Sequence, residues 1–377
     1  MQKRTNNPLL HLLSWLYGCG VGFRNFLFNQ GVLKGETYPV PLICVGNITV
    51  GGTGKTPHIE LIVSLLSPSY RIAIISRGYK RKSHGQRVVT RTSTVSEVGD
   101  EPRQLGLKYP HVRIIVDGDR RRAMRHLMSL PEGERPDVVL LDDGFQHRYV
   151  HPSFSILLVD AQRELHEDTL LPVGTLREPA SARYRADCIV LTKCPSNLQP
   201  INLRIMQRNL ALYPHQRIFF SRVIYRDPAP LASLVRDSEH TAHDPQHQTL
   251  SSGTSVIALA GIASPKPFYD YLERHYKVVS RITFQDHHNF RTKDLEYIRS
   301  VWQREQAIVG ADEPVYIIAT EKDAVRLFDL KQQLGDELTA RVFYLPIATE
   351  ILYNPEDFKK MIFQAAKALP SGLRPHL

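Results

Sequence analysis

The chain has 377 residues, enough for two domains of ordinary size, and 42% of them are hydrophobic, enough for buried cores. Four cysteines argue against a disulfide framework and fit a reducing compartment; Cys188 and Cys194 lack the C-x-x-C spacing of a zinc ribbon. A surplus of 48 Lys and Arg over 38 Asp and Glu leaves a charge of +10, an affinity for phosphorylated substrates, an acidic membrane surface or nucleic acid. No nucleic-acid-binding motif accompanies it, so nucleic acid is not an expected partner.

The first element is apolar. No residue from Thr5 to Phe23 is charged, and Leu9, Leu10, Leu12, Leu13, Trp15, Leu16 and Tyr17 follow one another, with Lys3, Arg4 and Arg24 at the flanks. As a helix, Leu9 to Phe23 would reach roughly 22 Å, short of a hydrocarbon core of roughly 30 Å. The composition predicts a membrane-interface helix within residues 1–30, with Trp15, Tyr17, Phe23, Phe26 and Phe28 near the headgroups. A helix packed on the protein core and a full span are the alternatives.

Next come apolar runs at Val40–Val45, Arg71–Ser76, Val112–Val116, Asp137–Leu141, Ser155–Asp160 and Cys188–Thr192. They are continuous rather than alternating, which predicts strands covered on both faces and a mostly parallel sheet. Helix-sized stretches such as Pro57–Leu66 and Arg120–Leu130 lie between them. The pattern is α/β, with a first domain over 31–225. Residues 226–252 read as a polar linker, whose His240, His243 and His247 have no metal-binding period. A second, smaller α/β domain is expected over 253–368. It has strands at Ser255–Ala260, Lys277–Thr283, Val315–Thr320 and Val342–Leu345, helices at Phe268–Tyr276 and Pro355–Ala368, and a disordered tail over 369–377.

Four strings carry chemistry. Gly51-Gly52-Thr53-Gly54-Lys55-Thr56 follows a strand and precedes a helix, the context of a P-loop. Thr49, Val50 and the glycines would offer backbone N–H groups to phosphate oxygens, Lys55 would reach the β- and γ-phosphates, and Thr56 would face Mg²⁺. The generic motif has glycine where this chain has Thr49. Second, the run ending in Asp142-Asp143 places carboxylates where P-loop proteins hold Mg²⁺, with Gln146 and His147 just beyond. Third, Glu97-Val98-Gly99-Asp100-Glu101-Pro102 sets three carboxylates around a glycine turn, suited to orienting and deprotonating a hydroxyl. Fourth, His287 and His288 sit between Phe284 and Phe290 on an anchored loop. Arg77, Lys80, Arg81, Lys82, Arg120, Arg121, Arg122 and Arg177 are candidates for a substrate phosphate, Arg77 first because it lies just past a strand end, and Gln146 and His147 are further substrate candidates.

Together these strings resemble the tetraacyldisaccharide 4'-kinase family of lipid A biosynthesis. The resemblance rests on V-G-N-I-T-V-G-G-T-G-K-T-P (45–57), S-R-G-Y (76–79), E-V-G-D-E-P (97–102), L-D-D-G-F-Q-H (141–147), L-P-V-G-T-L-R-E-P (171–179), F-Q-D-H-H (284–288) and T-E-K-D-A-V (320–325). It implies an ATP- and Mg²⁺-dependent kinase on the cytoplasmic face of the inner membrane, docked peripherally by its amino-terminal helix. The implied substrate is a glucosamine disaccharide with four acyl chains and a 1-phosphate, taking phosphate on its 4'-hydroxyl. It also implies an aspartate–histidine pair activating that hydroxyl, on Asp100 and on His287 rather than His288. With Asp100 accepting the proton and the two residues in different halves, the site would lie between the domains. A P-loop GTPase, ATPase regulator or metallochaperone is the alternative, suggested by Thr192-Lys193 after a strand; a nucleic-acid-binding scaffold is a third.

Overall fold

A computed structural model describes residues 7–163, 165–195, 197–235 and 250–369. The histidines of the linker and the tail beyond residue 369 lie outside the described residues. The chain divides into two compact units, the first drawn from 1–77, 112–223 and 349–377, the second from 78–111 and 224–348.

The apolar runs of the first unit become strands Leu42–Gly46, Ile72–Ser76, Arg113–Val116, Val138–Asp142, Phe154–Asp160 and Cys188–Thr192, with Arg217–Tyr225 added at one side. Across the sheet they run 217–225, 188–192, 154–160, 42–46, 138–142, 72–76 and 113–116, each neighbouring pair parallel. Leu42–Gly46 is therefore central and wholly buried, as a parallel strand covered by helices must be. Parallel pairing also gathers the carboxyl ends of the strands along one edge, where ligands of open α/β sheets bind. Gly46, Ser76, Asp142 and Asp160 lie at those ends.

In the second unit the strands run 277–283, 255–260, 316–320 and 342–345, all parallel, with 229–230 antiparallel at the edge. Residues 78–111 belong here, a departure from the expected single domain over 31–225. Helix Asp100–Lys108 packs on helix Glu321–Phe328, its Leu107 sharing a core with Leu327 and Phe328. Lys108 pairs with Glu321 at 2.6 Å and Arg103 with Asp329 at 3.1 Å, so both its apolar and charged faces are matched within this unit. Residues 349–377 likewise fall with the first unit rather than the second.

The amino-terminal helix, Pro8–Asn29, belongs to the first unit and lies within the expected bounds of 1–30. Asn7 caps it, accepting from the Leu9 N–H at 3.0 Å, and Pro8 occupies the first turn, where no N–H is needed. Its polar residues hold it down: Ser14 donates to the Leu170 carbonyl at 2.8 Å, Tyr17 to the Arg177 carbonyl at 2.8 Å, and Arg24 to the Gln146 carbonyl at 2.9 Å. Most of its apolar residues point away, with Leu9, Trp15 and Phe23 each more than 60% exposed (62%, 65% and 63%). That inverts the usual surface helix, which buries its apolar stripe. Phe28, expected near the headgroups, is instead buried against the Tyr149 ring at 5.0 Å. Among the described residues no helix is long and apolar enough to cross a membrane.

Candidate active site

The glycine-rich loop of the first unit is built by strand Leu42–Gly46 and closed by helix Lys55–Leu66. Gly51 and Gly54 turn it with φ of +111° and +82°, values that an L side chain rarely adopts. Asn47, wholly buried, donates from Nδ2 to Thr53 Oγ1 at 2.9 Å, and Gln146 Nε2 donates to the Asn47 carbonyl at 2.6 Å. From outside, the Val50 N–H donates to the Thr175 carbonyl at 2.7 Å and the Arg177 N–H to the Ile48 carbonyl at 2.7 Å. The loop is thus held in shape by protein groups on both flanks, with Thr49 bridged to Leu176.

Asp142 ends its strand buried and accepts from the Ser76 hydroxyl at 2.8 Å. Asp143, at a φ of +50°, turns back to Lys55 Nζ at 3.6 Å and Arg177 Nη1 at 3.1 Å. Burial pushes the Asp143 carboxyl up, but Lys55, Arg177 and Arg120 outweigh it and hold the group below the usual carboxylate range. Arg120 itself is buried, with its Nε lacking a partner. His147 is half-buried and pushed down to about 4 by burial and by Arg120. Arg77 is exposed at the end of Ile72–Ser76. Lys193, the residue behind the guanine-reading alternative, pairs with Asp160 at 2.7 Å.

One brace of this loop was not anticipated. His58 donates from Nδ1 to the Gly54 carbonyl at 2.7 Å, leaving Nε2 to accept from the Ser221 hydroxyl at 2.9 Å. Complete burial pushes it down to about 4 from an ordinary 6.5, only partly countered by the Gly54 carbonyl. An unfolded histidine therefore binds its proton first as the pH falls. Stability is full above about pH 7 and is lost between 6.5 and 4, by about 2 kcal/mol at pH 5. Urea unfolding at pH 7 and pH 5 should show His58→Gln losing about 2 kcal/mol less than wild type over that interval. Equal losses would mean that His58 is not buried in its neutral form.

The other candidates meet in the second unit. Gly99 breaks two short helices at a φ of +93°, where a Cβ would meet the Tyr79 carbonyl oxygen at 3.0 Å. The string 97–102 is therefore not one turn. Glu97 caps its own helix through Thr94, Glu101 pairs with Lys322 at 2.6 Å, and Asp100 opens the next helix. Asp100 Oδ2 accepts from His287 Nδ1 at 2.6 Å. The expectation that this pair joins different halves is corrected: both residues lie in the second unit. His288 instead pairs with Asp294 at 3.1 Å and stacks on Phe284.

Arg326 was also missed. It donates from Nε to Asp100 Oδ1 at 3.0 Å and from Nη2 to Oδ2 at 2.5 Å. Burial pushes the Asp100 carboxyl up, but His287 and Arg326 overturn this and hold it well below the usual range.

A parallel sheet with a glycine-rich loop at its carboxyl edge, a lysine facing a strand-end carboxylate and a buried aspartate–histidine pair has the parts of a phosphotransferase. Comparison with known proteins bears this out. The family description "Tetraacyldisaccharide-1-P 4'-kinase" matches residues 6–367. A tetraacyldisaccharide 4'-kinase of Porphyromonas gingivalis is 43% identical over 350 residues, covering 93% of this chain and 94% of the relative. One of Parabacteroides distasonis is 44% identical over 357 residues, covering 94% of each. The kinase LpxK of Aquifex aeolicus, solved in complex with ATP, superposes with a TM-score of 0.69 at 29% identity, covering 95% of this chain and 98% of the other. The chain belongs to the tetraacyldisaccharide 4'-kinase family.

Proposed function

We propose that this chain transfers the γ-phosphate of ATP to the 4'-hydroxyl of a tetraacylated glucosamine disaccharide 1-phosphate. The observation that carries the reading is the braced loop with Lys55 facing Asp143, in a chain matched to this kinase family almost end to end. Backbone N–H groups of Thr49 and Gly51–Gly54 bind phosphate oxygens, while that of Val50, expected to join them, is taken by the Thr175 carbonyl; Lys55 neutralises charge on the β- and γ-phosphates. Thr56, Asp142 and Asp143 would hold Mg²⁺. Two carboxylates at a strand end and a hydroxyl in the first turn of the following helix would suit that hard, oxygen-seeking ion. When bound, Mg²⁺ supplies further charge neutralisation on the transferring group. Arg177 steadies Asp143, and Gln146 steadies the loop. Arg77 and His147 are the proposed contacts for the acceptor, and the Asp100–His287 pair orients and deprotonates its hydroxyl.

The amino-terminal helix is the proposed docking element, laying its outward apolar face into the cytoplasmic side of the inner membrane. With γ-labelled ATP, Mg²⁺ and acceptor in vesicles, label should enter the lipid phase, and chelation by EDTA should stop it. Trp15→Glu combined with Leu16→Glu should cut vesicle binding and transfer together while ATP binding stays. Vesicle binding unchanged by these charges would place the membrane contact elsewhere.

A further inference from the structure

Ser14, Tyr17, Arg24 and Asn25 of the amino-terminal helix recur at helical spacing and so share one face. Two of them end on main chain that carries the phosphate machinery. Tyr17 Oη donates to the Arg177 carbonyl at 2.8 Å. The Arg177 N–H in turn donates to the Ile48 carbonyl at 2.7 Å, just ahead of the glycine-rich loop, and its guanidinium reaches Asp143 at 3.1 Å. Arg24 Nη2 donates to the Gln146 carbonyl at 2.9 Å. From there Gln146 Nε2 donates to the Asn47 carbonyl at 2.6 Å, and Asn47 Nδ2 to Thr53 Oγ1, inside the loop, at 2.9 Å. Two hydrogen-bonded paths thus join one helix face to the loop and to Asp143.

Asn25 grips the same stretch beside them. Its Nδ2 donates to Glu178 Oε2 at 3.1 Å, and that carboxylate, 1% exposed, also pairs with Arg185 at 2.8 Å. Apolar contacts have no preferred direction, so a helix held by them alone can shift. Hydrogen bonds to main-chain carbonyls fix both distance and angle. They also set the backbone of Arg177 and Gln146, and hence where the side chains of those residues stand. Phosphoryl transfer is sensitive to that placement, since a displacement of about 1 Å at the reacting groups costs about 100-fold.

We propose that Tyr17 and Arg24 are positioning residues for the transfer: by gripping Arg177 and Gln146 they hold the glycine-rich loop and Asp143 in their working places. The inference rests on the kinase reading above. It separates the two faces of one helix. The outer apolar residues govern where the chain docks, and the inner polar ones govern how well the nucleotide and the carboxylate are aligned.

The test uses the full chain, ATP, Mg²⁺ and the acylated disaccharide presented in detergent micelles, so that docking on a bilayer does not limit the rate. Tyr17→Phe combined with Arg24→Met removes both donors and nearly keeps the size of each side chain. It should lower kcat by about tenfold or more and raise the KM for ATP by about threefold or more, with binding to anionic phospholipid vesicles unchanged. Arg24→Lys in place of Arg24→Met should recover part of the loss. Asn29→Ala frees the helix end from Arg148 and Tyr184, neither of which is bonded to the loop, and should keep the wild-type kcat. A double variant with a lower melting temperature but wild-type kcat and KM for ATP would overturn the proposal, as would an equal loss in Asn29→Ala. A fall in kcat with the KM for ATP unchanged would overturn it too, because the two residues would then serve the acceptor and not the loop. Should the double variant not fold, Tyr17→Phe alone decides by the same two constants. A wild-type enzyme that transfers no phosphate would instead sink the kinase reading itself.

Discussion

Lys55→Ala should lower phosphate transfer by at least about 100-fold, since removing a group that stabilises developing phosphoryl charge costs roughly that much or more. The fold should survive. Lys55 lies 3.6 Å from Asp143, which keeps Arg177 at 3.1 Å when the lysine is gone, so no carboxylate is left buried and unpaired. Thermal unfolding within a few degrees of wild type, together with loss of turnover, is the expected pair of results. Retention of more than about a tenth of wild-type turnover would mean that this loop is not the phosphate loop.

Asp100→Asn and His287→Ala should each lower kcat by about 100- to 10,000-fold, with the KM for ATP nearly constant. Asparagine turns a donor toward Arg326 Nη2 or His287 Nδ1, where the native carboxylate accepts from both, so it disrupts the imidazole's tautomer and placement together. The double variant should be little slower than the slower single one, because groups that act as a unit lose their function once. Steady-state kinetics of the three variants checks this. Losses that multiply would show two independent roles.

The parts of this molecule written in local sequence were readable from it. Most of the strands and the glycine-rich loop arise from consecutive residues, so their runs and spacing announce them, usually within two residues of the observed ends; Arg217–Tyr225 and Ile347–Ile351 were not read. The helix Thr292–Val309 was also written locally, in Leu295, Ile298 and Trp302 at helical spacing, but its many charged residues masked the period. What could not be read was pairing across the chain. Arg326 meets Asp100 from 226 residues away, and His58 meets Ser221 from 163. Neither residue stands in a motif with its partner. For the same reason nothing in composition separates 78–111 from its neighbours; long-range contacts such as the packing of Leu107 and the pairing of Lys108 with Glu321 and of Arg103 with Asp329 assign that stretch to the second unit. The carboxylates of 97–102 were visible as a group, yet Gly99 sends them to three different partners.

The amino-terminal helix shows what composition reaches and where it stops. Its apolar content was plain, but a buried helix and a membrane-facing one have similar content. Ser14, Tyr17, Arg24 and Asn25 turn the polar side toward the protein and leave Leu9, Trp15 and Phe23 exposed, an orientation that composition does not reveal.

The central claim is tested most directly by the product. Purified full-length chain, ATP and Mg²⁺ are incubated with the tetraacylated disaccharide 1-phosphate, and the lipid is analysed by mass spectrometry with fragmentation. The account predicts a gain of one phosphate, carried on the non-reducing sugar at its 4' position. ATP consumed with the lipid mass unchanged, or a phosphate added at any other position, would contradict it.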